Sequence, residues 1–146
     1  MGRGGRKGEL FLKFRGEMMP ELDISVRGMK PVSFGGGEPE KQWWEELATK
    51  AQLVRASQPL PAITAPARFT VEMVFFLREA YGNKLEGSDL DNLAKPVLDT
   101  LFKGRKQPPT GILFDLDDAF VAKLIMEKRL AATQEEEGVD IIVAWR

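Results

Sequence analysis

Apolar and polar residues alternate most clearly over residues 67–78. Phe69, Val71, Met73, Phe75 and Leu77 fall on one side, and Arg68, Thr70, Glu72 and Arg78 on the other. A period of two predicts a strand with one buried face. Residues 9–19 (ELFLKFRGEMM) alternate in the same way through Leu10, Leu12 and Phe14 and predict a first strand. Pro20, Pro31 and the Gly35–Gly36–Gly37 run then mark a loop. From Pro39 the period lengthens: Trp43, Leu47, Ala51 and Val54 predict a helix over about residues 39–56, with proline in its first turn. The prolines of residues 58–66 mark a connector, and residues 79–87 are a polar loop. Leu90, Leu93, Val97, Leu98 and Leu101 predict a second helix over about residues 89–103. A basic loop follows at 103–111 (KGRKQPPTG), then strands at about 119–129 and 139–145 on either side of a glutamate turn. The order β-α-β-α-β-β predicts an α+β fold (an α/β sandwich), a mixed β-sheet covered by two main helices.

With 146 residues, no internal repeat and no second linker, the chain divides into a flexible basic arm (1–8) and a single domain (9–146). The balance of 43% hydrophobic and 29% charged residues is that of a globular domain. No apolar run approaches the roughly 20 residues that span a bilayer. The basic start is not followed by the apolar stretch of a secretory signal, so no membrane and a cytoplasmic location are expected. A net charge of −1 does not announce a nucleic-acid binder. Charge is unevenly placed, however: Arg3, Arg6, Lys7, Lys13 and Arg15 crowd the start and leave room for a local basic face.

The absences narrow the chemistry further. Without cysteine there are no disulfides, thiolate metal sites or thiol nucleophiles. Without histidine there is no Ser–His–Asp triad and no imidazole ligand. Catalysis by this chain would have to use carboxylates, lysines, hydroxyls or a hard oxygen-bound cation such as Mg²⁺ or Mn²⁺.

Two acidic segments meet that requirement. In SDLDNLAK (88–95), Asp89 and Asp91 stand at a loop-to-helix junction, where one lies in the incoming segment and the other in the first turn. Lys95 is four residues beyond Asp91, on the same helical face, and Pro96 should distort the first turns. The competing reading is ordinary capping by Ser and Asp. In FDLDDAF (114–120), Asp115, Asp117 and Asp118 precede a strand, a pattern that Asx turns and edge-strand charges also produce. Together, three aspartates and a lysine suit cation-assisted phosphodiester hydrolysis, because converging carboxylates need a compensating charge. Lys103, Arg105 and Lys106 are candidate phosphate contacts, with a solvated charge run as the alternative. Lys128 and Arg129, further along the strand after Asp118, are placed to reach the same backbone. Trp43 and Trp44 fit base stacking or, at helical spacing, the core. The glycine run reads as flexible and Glu135 to Glu137 as a solvated turn.

At DLDNLAKPVLDTL (89–101) followed by LDDAFV (116–121), the chain resembles the RusA family of Holliday-junction resolvases. The resemblance implies a homodimer on a mixed sheet that nicks branched DNA symmetrically across a four-way junction, in recombination and repair. It also implies Asp89, Asp91 and Asp118 as metal-binding and catalytic aspartates, and Lys95 as the catalytic lysine. Asn92 and Asp117 match the polar neighbours of these residues, and Lys128 a basic position on the following strand. The chain departs from the family in having Glu86, Gly87 and Ser88 where an arginine run precedes the first aspartate. The sequence alone offers no stripe of exposed apolar residues that demands a dimer. Two other classes stay open: a non-catalytic branched-DNA binder on the same fold, and a structural or partner-binding domain whose aspartates serve as caps and turns.

Overall fold

The structure, a computed structural model, describes residues 20–58, 60, 68–78 and 89–146. The predicted arm (1–8), strand (9–19) and polar loop (79–87) lie outside the described residues. Four strands form one mixed sheet: β1 (Glu21–Arg27), β2 (Phe69–Leu77), β3 (Val121–Leu130) and β4 (Gly138–Trp145), in the order β1-β4-β2-β3. β4 pairs antiparallel with both β1 and β2, while β2 and β3 run parallel. Two main helices, α1 (Glu38–Ser57) and α2 (Leu90–Leu101), accompany the sheet. A parallel pair cannot be joined by a tight turn, and α2 lies on the crossover from β2 to β3.

β1 falls where the proline and glycine content had predicted a loop. Leu22, Ile24 and Val26 are buried, while Asp23 is exposed and Ser25 and Arg27 are half-buried. Seven residues with period two suffice for a strand when a neighbour such as β4 completes the ladder. Pro20 and Pro31 bracket β1 rather than interrupt it.

Trp43, Leu47 and Ala51 of α1 and Leu93, Ala94, Val97 and Leu101 of α2 enter the same core as the inward rows of β1, β2 and β4. Trp43 is therefore a core residue. Pro96 does not break α2. It lacks the N–H that would bond the carbonyl of Asn92, and that carbonyl instead accepts the N–H of Phe34 at 2.9 Å. The orphaned acceptor thus ties the 31–37 loop to α2. That loop is held again where the Glu40 carboxylate accepts the N–H groups of Gly35 and Gly36 at 3.0 and 3.2 Å. The glycine run is anchored at both ends rather than loose.

Phe69 packs against Phe102 and Phe114, with ring centroids 5.0 and 4.7 Å apart, and Trp145 meets Phe114 at 5.4 Å. This cluster pins the loop between α2 and β3 at Phe102 and Phe114, just before the acidic segment from Asp115 onward. Glu137 does not belong to a solvated turn. It is buried, and its carboxylate meets the Arg78 guanidinium at 3.4 Å and accepts the Arg78 backbone N–H. On β4, buried Asp140 accepts from Ser25 Oγ and Arg27 Nη2, both at 2.7 Å. Among the described residues no helix is long and apolar enough to cross a membrane.

Candidate functional site

α2 and the short 3-10 turn Asp118–Phe120, which leads into β3, carry the residues singled out by the sequence. Asp89 occupies the N-cap position of α2, and its backbone carbonyl accepts the N–H of Leu93 at 3.0 Å. Its side chain makes no capping hydrogen bond. The position is that of a cap, but the carboxylate is not spent on capping. Asp91 is exposed in the first turn and accepts the N–H of Asn92 at 3.0 Å.

Lys95 extends from the next turn. Its ammonium lies 3.3 Å from Asp99 and 5.2 Å from the Phe34 ring centroid. Asp99 was not anticipated as part of the site, although a carboxylate on the apolar face of a predicted helix was a visible signal. It is nearly buried, and the chain at Gly104 passes so close that an added Cβ would lie 2.4 Å from Asp99 Oδ1.

Asp118 sits within electrostatic reach of Asp99 and Lys95. Burial raises its pKa above the ordinary 3.8, a hydrogen bond and repulsion from Asp117 and repulsion from Asp99 add to the rise, and Lys95 opposes it. The neighbouring Asp117 behaves as a turn residue, its carboxylate accepting the N–H of Ala119 at 2.8 Å. Asp118 thus carries the charge in this segment that its surroundings satisfy least.

Lys95 and Asp118 are thus within electrostatic reach of each other, and Asp91 lies four residues, roughly 6 Å of helix rise, before Lys95. The structure does not close the predicted three-aspartate cage. Among the described residues, no group of three or more acidic side chains is arranged to hold a metal ion. The donor chemistry still fits a hard divalent cation: oxygen ligands only, one carboxylate unused as a cap, and one whose charge is disfavoured.

That disfavoured charge has a measurable consequence. A carboxyl with a raised folded pKa contributes stability below about pH 3.8 that is lost as pH rises through the raised value. Asp118→Asn should accordingly stabilise the metal-free protein at neutral pH, by no more than about 1 kcal/mol once solvent screening is allowed for. Chemical unfolding of the two proteins at pH 7 and at pH 3.5 checks this, and the difference should shrink at the lower pH.

The basic loop divides by role. The Lys103 backbone bridges to Asp117, its N–H donates to Leu116 at 2.8 Å, and its ammonium lies 3.3 Å from Asp115. An open groove of about 550 Å³ is lined by Lys103, Arg105, Lys106, Asp115 and Asp117. Arg105 is not a free phosphate contact. Its guanidinium stacks 3.7 Å from the Trp44 ring centroid and donates to Thr100 Oγ1 and to the carbonyls of Pro109 and Pro96. Burial lowers its pKa, while Asp99 and Glu40 oppose the shift. Arg105→Ala is expected to cost about 1–3 kcal/mol of folding stability by removing the donor to the Pro109 carbonyl and the cation stacked on Trp44. Lys106→Ala at exposed Lys106 should cost less than about 0.5 kcal/mol. Urea titrations of the two variants separate anchor from surface charge.

Lys128 does not stand near Asp118. It is half-buried on β3 in register with Phe75, roughly 23 Å along the strand from Val121. Arg129 is held by Glu127 through bonds of 2.8 and 3.1 Å. Trp44 is covered by Arg105 and is not presented for stacking. No protein-family model matches this chain, and no curated protein matches it.

Proposed function

We propose that this chain is a divalent-cation-dependent endodeoxyribonuclease that resolves four-way DNA junctions by paired phosphodiester hydrolysis as a homodimer, in recombination and repair. The observation that carries the reading is that Lys95 lies within electrostatic reach of Asp118, a carboxylate whose charge its surroundings disfavour. Asp91 stands one turn away on the same helix. With no histidine or cysteine in the chain, a carboxylate–lysine site has few other chemistries open to it.

Asp118, Asp91 and Asp89 would hold Mg²⁺ or Mn²⁺, with side-chain rotation at the start of α2 bringing the set together. The ion supplies charge neutralisation at the phosphate and a more acidic bound water. Lys95 orients and neutralises a non-bridging phosphate oxygen. Lys103 and Lys106, flanking the groove beside Asp117, meet the DNA backbone further along. Arg105 supports the loop that presents them.

A second reading, which rests on the groove flanked by Lys103 and Lys106, is a branched-DNA binder that does not cut. Incubating the full chain with a labelled synthetic four-way junction in Mg²⁺ or in EDTA decides between them. The nuclease gives symmetric nicks in Mg²⁺ and none in EDTA, whereas the binder retards the DNA and leaves it intact. Flap and linear duplex substrates in the same assay measure junction selectivity.

A further inference from the structure

We propose that Phe34 is a stacking platform for an unpaired nucleobase, the contact by which the candidate site takes branched DNA in preference to intact duplex. Phe34 is 55% exposed, and the Lys95 ammonium lies over its ring, 5.2 Å from the centroid. A single apolar residue at a protein surface is ordinary. What sets Phe34 apart is how firmly the chain holds it there. Its N–H donates to the Asn92 carbonyl, the acceptor that Pro96 leaves free, at 2.9 Å. The helix that carries Asp91 and Lys95 therefore also fixes the backbone of this aromatic. The next two N–H groups, of Gly35 and Gly36, donate to the carboxylate of Glu40, which is itself buried.

The glycine run serves the same end. Gly35 and Gly37 stand at φ 88° and 73°, a backbone region that residues with a Cβ resist. At Gly36 an added Cβ would lie 2.6 Å from Val32 Cγ1, on a side chain packed against the core. Each of the three positions is thus constrained, and the loop is tied to both helices. A connector needs none of this. Within residues 31–37 the turn leaves one large side chain outside, that of Phe34.

The neighbours select the ligand. An exposed ring beside an ammonium offers a flat apolar surface and a positive charge within the reach of one nucleotide. The base takes the first and the phosphate the second. A base inside an intact duplex is covered on both faces and must unstack before it can meet the ring. Unstacking is unfavourable, and least so for a base that is already unpaired. The pairs flanking the crossover of a four-way junction, where the strands exchange, are the ones most readily opened. Stacking accepts any base, so the platform reads unpairing rather than sequence. The inference rests on the reading of Lys95 as a phosphate contact, and names what lies beside that phosphate.

Equilibrium binding by the full-length chain in EDTA separates stacking from cutting. The probes are a labelled four-way junction, a short single-stranded oligonucleotide and a linear duplex. Phe34→Ala should weaken binding to the junction and the single strand by about tenfold or more, and to the duplex by less than about twofold. Its salt dependence should stay parental, because no phosphate contact is lost, whereas Lys95→Ala should reduce the slope by about one on all three DNAs. Phe34→Trp should keep the affinity, and single-stranded DNA should quench its emission more than that of the parent. Phe34→Leu should behave like Phe34→Ala, since leucine keeps apolar area but has no ring face. An alanine variant that holds the junction as tightly as the parent overturns the proposal. So does an equal loss on all three DNAs, or a leucine variant as good as the parent. Loss of self-association with unchanged DNA binding overturns it too, and assigns Phe34 to a contact between copies. The expected binding pattern in a chain that never cuts would remove the nuclease reading alone. A chain that cuts junctions in Mg²⁺ and is indifferent to Phe34→Ala would remove the stacking platform alone.

Discussion

Asn in place of Asp118 is expected to lower Mg²⁺-dependent junction cleavage by about 10³-fold or more, on the scale of losing one group that stabilises transition-state charge. The substitution preserves shape and removes the charge that a cation must find. Because the metal-free fold is strained by that charge, the inactive variant should be the more stable one, a combination that misfolding does not produce. Asp91→Asn should fall in activity similarly while binding the junction as tightly as the parent, or more so, since repulsion from the phosphates drops. Single-turnover cleavage and gel retardation on the same preparations check both statements. Parental cutting by either variant removes the corresponding aspartate from the site.

The largest expected effect on folding lies far from the chemistry. Gly138→Ala should cost more than about 4 kcal/mol, because no rotamer change relieves a backbone clash. Gly138 begins β4 at φ 149°, and an added Cβ would lie 1.8 Å from the Val26 carbonyl oxygen. Accommodating it requires β1 to move off β4 at the register pair Arg27 and Gly138. A fall in Tm of about 10 °C or more, or recovery only in the insoluble fraction, is the expected result. Parental Tm would mean that the two strands do not meet there as described.

Where one face of an element is buried along its whole length, the pattern of side chains was enough to place it. β2, β4 and both helices are of this kind, with ends shifted by a residue or two, as expected when caps rather than periodicity set the boundary. β1 escaped because prolines on either side outweighed a short alternation whose meaning depends on β4, more than a hundred residues later. That Lys95 lies within electrostatic reach of Asp118 follows from residue types but not from sequence position, since the loop leading to Asp118 is placed by the packing of Phe69, Phe102 and Phe114. Charge on a loop reads as solvent exposure in sequence, and Arg105 and Glu137 both depart from that reading. A guanidinium over Trp44 and a carboxylate against Arg78 are tertiary facts that local composition does not carry.

Everything proposed about the chemistry depends on the start of α2 and the Asp118 turn sharing one cation. Manganese in place of magnesium tests this without any substrate, because the bound ion broadens amide resonances in proportion to proximity. At substoichiometric Mn²⁺, the amides of residues 89–92 and of 117–119 should broaden together, and Asp118→Asn should abolish both effects. Broadening confined to one of the two segments, or absent from both, would contradict the account.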